Sequence, residues 1–154
     1  MKEYRQHRFT APKGATQILL VRHGESRAAS LENPFPLVAG QGDPELAIAG
    51  REQAERVGER LRHLPIDAIY VTNLTRTHET AAPLAGHLGL EPIEEPDLRE
   101  VHLGDWEGGL LRIKAFDNDP IYQQMQAEQR WDAIPGAESR AQIHARVERA
   151  LNKI

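Results

Sequence analysis

The stretch Leu19-Leu20-Val21-Arg22-His23-Gly24-Glu25-Ser26 breaks off an apolar run at a cation, an imidazole and a glycine. Ile18 to Val21 are continuously apolar, the pattern of a short strand buried on both faces. The abrupt step predicts that Arg22 and His23 lie at the carboxyl end of that strand, where ligands bind in open α/β sheets. Gly24 lets the backbone turn there without a Cβ in the way. Taken alone, an Arg-His pair at a strand end reads as a surface feature, and its weight comes from residues elsewhere in the chain.

Outward from this stretch, strand and helix patterns alternate. Arg27 to Pro44 is rich in glycine and proline and predicts a long loop, a wall or lid of a pocket because it leaves the strand end directly. Leu46 to Leu64 reads as a helix, with Ile48, Ala54, Val57, Leu61 and Leu64 at helical spacing, a Glu52–Arg56 pair on the outer face and Pro65 as its stop. Ile66 to Val71 reads as a second buried strand, followed by a Thr72-Asn73 cap and a helix over Leu74 to Leu88, with Pro83 inside it and Gly89 at its end. Glu91 to Glu94 is a short third strand. Leu98 to Gly109 is a loop, Ile113 to Arg130 a helix interrupted near Asp117 to Pro120, and Trp131 to Ala137 a turn. Glu138 to Ile154 reads as an amphipathic helix with Ile143, Val147, Leu151 and Ile154 on one face. The alternation predicts an α/β, doubly wound parallel sheet.

The 154 residues suffice for one domain with a sizeable core, at 40% hydrophobic and 27% charged residues. A net charge of −4 points to neither nucleic acid nor a membrane surface as partner, while a local cationic pocket suits a small anionic ligand. The chain has no cysteine, which excludes disulfide and thiol chemistry and is compatible with a reducing cytoplasm, the expected location. No apolar run approaches a membrane span, and Met1 to Gln17 lacks the apolar stretch of a secretory signal. Met1 to Thr16, with Lys2, Arg5, Arg8 and Lys13, reads as a polar, loosely docked extension.

Arg22-His23-Gly24-Glu25-Ser26 resembles the Arg-His-Gly motif of the histidine phosphatase superfamily, to which the cofactor-dependent phosphoglycerate mutases belong. Asp43 to Ala54, Asn73 to Ala81, Leu98 to Gly108 and Pro135-Gly136-Ala137-Glu138-Ser139 look similar to further segments of that family, in the same order. The resemblance implies a phosphoglycerate mutase-like fold over residues 17–154. It implies His23 as a phosphorylated nucleophile, Arg22 and Arg76 as phosphate clamps, and Glu100 as the acid that protonates the leaving oxygen, with Glu107 as the rival carboxylate. These residue types suit the chemistry. A neutral imidazole is a competent nucleophile near neutral pH, guanidinium groups hold phosphate oxygens bidentately, and a carboxyl group with a raised pKa can supply a proton. The hydroxyl of Ser26 could serve either the same phosphate or the turn. No metal or other cofactor is expected, because no ligand-like cluster of His, Asp and Glu stands out.

Two departures from the family stand out. Ala28-Ala29 occupy the place where the family commonly has an asparagine on the phosphate, with Ser30 as a substitute. The family's second catalytic histidine, in a Ser-His-Gly-type step after a late buried strand, has no counterpart before Ile154; His144 lies mid-helix, and His7, His63, His87 and His102 lack a strand end. The domain therefore reads as incomplete at its C-terminus, lacking the last strand or strands, either as part of a longer protein, the favoured explanation, or as a truncation with lost activity. The expected function is phosphomonoester hydrolysis through a phosphohistidine on a small phosphorylated metabolite. Mutases of the family it resembles usually carry a longer insertion after the acid segment, so the short Gly108-Gly109 to Trp131 stretch favours a phosphatase over a mutase, and a phospholigand-binding protein without turnover is the other rival. The expected partner is a small-molecule phosphate ester, and a homodimer is allowed.

Overall fold

In a computed structural model of the chain, residue 3 and residues 10–154 are described. Half of the extension expected over Met1 to Thr16 therefore lies outside the described residues. The order of elements is β1 (Leu37–Val38), β2 (Gln41–Gly42), α1 (Ile48–Leu61), β3 (Tyr70–Val71), α2 (Thr75–Leu88), β4 (Ile93–Glu94), α3 (Leu110–Phe116), α4 (Pro120–Glu128) and α5 (Arg140–Leu151). Strands β3 and β4 pair in parallel, with Tyr70 opposite Ile93 and Val71 opposite Glu94, and α2 makes the crossover between them. Backbone bonds from Ile93 to Ile69 (2.8 Å) and from Glu95 to Val71 (2.7 Å) extend this ladder at both ends. This is the βαβ unit that the alternating pattern predicts.

The expected buried strand over Ile18 to Val21 is not realised. No ladder among the described residues includes it, and its side chains are exposed, Leu20 to 92%. Apolar composition alone does not bury a strand; neighbouring strands must take up its backbone groups, and none of the described ones does. Pairing begins only beyond the run, where Ser26 bridges Leu46 antiparallel and Ala47 N–H donates to the Glu25 carbonyl (2.9 Å).

The long loop predicted over Arg27 to Pro44 contains a hairpin of β1 and β2, turned by Ala39 and Gly40, both at positive φ. Its stem is fixed by the bond from Phe35 N–H to the Gly108 carbonyl (2.9 Å). Helix α1 buries Gly50, Ala54 and Gly58, whereas Ile48, expected on the inner face, is 80% exposed. The small stripe explains the choice of face. A Cβ on Gly58 would stand 2.9 Å from the Pro83 side chain, and one on Gly50 would collide with the Glu25 backbone. Helix α1 thus lies close against α2 on one side and the Arg22–Ser26 segment on the other.

Helix α2 begins at Thr75 rather than behind a Thr72-Asn73 cap, and the cap comes from afar: Asp43 accepts from the Thr75 N–H (2.7 Å) and hydroxyl (2.6 Å). It closes on Gly89 in the left-handed conformation, as predicted. The interrupted helix is α3 and α4, the latter capped by Asp119 and started by Pro120. Helix α5 opens with a capping box of Ser139 and Gln142. It buries Ala150 completely, while Leu151 and Ile154 on its expected apolar face remain 50% and 37% exposed.

Candidate active site

At the end of the Ile18–Val21 run the chain crosses α1 and α2, and this crossing builds the site. Gly24 N–H donates to the Thr80 hydroxyl of α2 (3.0 Å), which itself donates to the Arg76 carbonyl (2.6 Å). Glu25 N–H donates to the Gln53 side chain of α1 (2.9 Å). A Cβ on Gly24 would run into Gly50, so glycine at both positions is what lets the two backbones meet. His23 is held between these anchors, half-buried.

Its ring is oriented by its own neighbour: Nδ1 stands 2.7 Å from the Gly24 carbonyl oxygen. A carbonyl only accepts, so Nδ1 carries the proton, and in the neutral ring Nε2 presents a lone pair. Burial lowers the His23 pKa below the ordinary imidazole value. The Gly24 carbonyl works against this, Arg76 and Arg22 add to the lowering, and Glu100 opposes it. The ring is thus neutral at neutral pH, in a cationic neighbourhood.

Arg76 is buried. Its Nη1 donates to the Gly42 carbonyl (2.9 Å) and lies 4.0 Å from Asp43. Burial lowers its pKa, Asp43, Glu100 and Glu107 act in the opposite sense, and Arg112 reinforces the lowering. A guanidinium remains protonated in this setting. The two carboxylates that compete in the sequence are separated by their partners. Glu107 is committed to the backbone, accepting from Gly42 N–H (2.7 Å) and Leu103 N–H (2.8 Å), and joins the hairpin to the loop. Glu100 is exposed, and its carboxylate accepts only from the N–H of Val101 (2.9 Å) among the described residues.

A cleft of about 840 Å³ opens beside His23, lined among others by Arg22, Ser26, Gln53, Arg112 and Phe116. Arg22, His23 and Ser26 share this cleft; Arg76 and Glu100 lie outside its lining but close enough to act on the His23 charge. The Ser26 hydroxyl is engaged by Arg112 Nη2 (2.7 Å), while Arg112 Nη1 donates to the Arg27 carbonyl (2.9 Å) and the guanidinium stacks over Phe35 at 5.2 Å. Sequence reasoning missed Arg112, because an arginine on a short helix behind a glycine pair carries no local signal. Ser30 caps its own turn, accepting from Glu32 N–H (3.2 Å).

None of the other described histidines joins His23. His144 is 80% exposed and faces Glu148, His87 faces Glu59, and His78 pairs with Glu94 at 3.6 Å as a surface residue. His102 accepts at Nδ1 from Gly104 N–H (3.1 Å) and holds its own turn. Among the described residues no group of three or more His, Cys, Asp or Glu is placed to hold a metal ion, and no helix is long and apolar enough to cross a membrane.

The Arg-His-Gly segment thus packs through Gly24 on α2 of the βαβ unit, whose first turn carries the buried Arg76, the arrangement that the sequence resemblance implies. The sequence profile of the histidine phosphatase superfamily (branch 1) matches residues 18–154, and the chain belongs to that family. It is 36% identical over 141 residues to phosphoglycerate mutase-like protein 4 of Arabidopsis thaliana, a match covering 90% of this chain and 60% of that protein. It is 32% identical over 136 residues to probable phosphoglycerate mutase GpmB of Yersinia enterocolitica, covering 88% of this chain and 61% of the relative. Among solved structures it resembles mycobacterial glucosyl-3-phosphoglycerate phosphatase, with a TM-score of 0.66 and 31% identity over 85% of this chain and 59% of that one. The chain thus spans about 60% of the length of the curated relatives it matches.

Proposed function

We propose that the protein hydrolyses phosphomonoesters of small phosphorylated metabolites through a phosphohistidine at His23. The observation that carries this reading is the His23 ring: Nδ1 is spent on the Gly24 carbonyl, and burial with two nearby arginines keeps the ring neutral. In the proposed first step Nε2 attacks phosphorus, the bond to the leaving oxygen breaks, and the carboxyl proton of Glu100 passes to that oxygen. In the second step water attacks the phosphohistidine, the phosphorus–nitrogen bond breaks, and the proton of the water returns to the Glu100 carboxylate. Arg22 and Arg76 hold the charge that spreads over the equatorial oxygens. Relatives named as a phosphatase and as mutases support phosphoryl transfer in common. A mutase would return the phosphoryl group to a second substrate hydroxyl instead of to water. Localisation in the cytoplasm is part of the same proposal.

The test traps the intermediate and varies the leaving group. His23→Ala should yield no labelled phosphohistidine from a labelled ester. Glu100→Gln should slow phosphorylation by an alkyl phosphate by about 100-fold or more, and by an activated aryl phosphate far less, because general acid catalysis matters only where the leaving oxygen needs a proton. Retained labelling in His23→Ala, or equal losses on both esters in Glu100→Gln, would sink the respective role. Free phosphate against a transferred phosphoryl group in the products separates hydrolase from mutase.

A further inference from the structure

Arg146, in the middle of α5, uses all five of its N–H groups. Nε and Nη2 grip the two oxygens of Glu138 at 2.6 and 2.8 Å, Nη1 donates to the carbonyls of Asp97 (2.8 Å) and Arg99 (2.7 Å), and Nη2 also reaches the carbonyl of Glu100 (3.1 Å). Glu138 closes the other side. Its carboxylate accepts from His102 N–H (3.2 Å), and its own N–H donates to the His102 carbonyl (2.8 Å). Glu138 is anchored in turn by Trp131, whose indole N–H donates to its carbonyl (2.7 Å). The pair therefore brackets Glu100 from both chain directions, with side chains only 11% and 13% exposed. Gln41 adds a bond to the Glu100 carbonyl (2.7 Å) from the hairpin.

Such saturation exceeds what docking a helix requires. Arg149 of α5 and Lys153 just past its end already tie it to Asp97 (3.2 Å) and Glu95 (2.7 Å). What Arg146 and Glu138 add lies farther along, at 99, 100 and 102. Among the described residues the Glu100 carboxylate has no partner beyond Val101, so its position follows from its backbone. We propose that Arg146 and Glu138 are positioning residues, a clamp that fixes where the Glu100 carboxyl stands; this rests on the reading of Glu100 as proton donor. A lysine at 146 keeps the charge but cannot supply the planar fork or five donors.

The experiment compares Arg146→Lys, Glu138→Gln, Arg149→Ala and Glu100→Gln by phosphorylation from an alkyl phosphate and from p-nitrophenyl phosphate, together with amide hydrogen exchange. Arg146→Lys should lose about tenfold more rate on the alkyl ester than on the aryl ester. Exchange should quicken at residues 99–103 while α1 and α2 keep their protection. Glu138→Gln should do the same to a smaller degree and carries the comparison if Arg146→Lys does not fold. Arg149→Ala, which removes bonds to Asp97 and within α5 to Ala145 but none at 99–102, should affect both esters alike. Equal losses on both esters in the Arg146 and Glu138 variants, or unchanged exchange at 99–103, would overturn the clamp. If Glu100→Gln itself fails to distinguish the esters, the proton-donor reading falls, and the exchange data alone judge the clamp, as they do in a chain that turns over neither ester.

Discussion

One nitrogen of the His23 ring is fixed on Gly24, which leaves the lone pair of the neutral ring on the other, and the residue lines the cleft. Which charge state the ring holds is decided by competition. Burial favours the neutral form, and Arg76 and Arg22 reinforce it against the Gly24 carbonyl and Glu100. The His23 resonances should accordingly titrate below about 6.5 by NMR, the ordinary imidazole value. Arg22→Met removes one of the two cations that lower it and should move the titration upward. A wild-type titration at or above the ordinary value would contradict the burial argument. The sign for activity follows: the nucleophile is available above the lowered pKa and is lost as pH falls through it. The same scale shows what the resemblance, which favoured Glu100 over Glu107, could not: the hydrogen-bond partners of each carboxylate. Both are loop carboxylates within one short segment, and only their partners distinguish a free group from one bound to two amides.

Among the elements, α1 shows most clearly how packing overrides pattern. A glycine inside a helix ordinarily costs about 0.5–1 kcal/mol relative to alanine. Gly86 of α2 has open space where a Cβ would stand, so Gly86→Ala should stabilise the fold by about that free energy and raise the unfolding midpoint. Gly50 of α1 is the opposite case, because a Cβ there meets the Glu25 backbone. Gly50→Ala should destabilise by about 1–3 kcal/mol, as overpacking does, and displace His23. Thermal unfolding of the two variants beside the parent checks both signs. A stabilising Gly50→Ala would mean that the crossing of α1 with the 22–26 segment is looser than described.

For the whole molecule, the governing feature is the contrast between a tied-down site and an open apolar run. Ile18, Leu19, Leu20 and Val21 are 54%, 56%, 92% and 48% exposed, and among the described residues no strand takes up their backbone groups, which invites another chain. The chain should therefore self-associate as its concentration rises, and Leu20→Lys should suppress this, since lysine on an exposed edge opposes edge-to-edge pairing. Sedimentation velocity over a concentration series is the measurement. Monomeric behaviour of the parent throughout, or association unchanged by the lysine, would remove the edge as its cause.

By itself the sequence determined the βαβ unit, the break between α3 and α4, and the family, and it offered Arg22, His23, Ser26, Arg76 and Glu100 as candidates. Each of these is written locally, in hydrophobic period, in glycine and proline, or in a run of adjacent residue types. Only the tertiary structure decided the rest. It left Ile18 to Val21 exposed, because burial of a strand depends on neighbours and not on its own composition. It gave the cap of α2 to Asp43 and the hydroxyl of Ser26 to Arg112. It joined Arg146 and Glu138 around Glu100, nearly fifty positions earlier in the chain than Arg146. Contacts between residues so far apart are set by how helices and loops pack, and no local pattern encodes them.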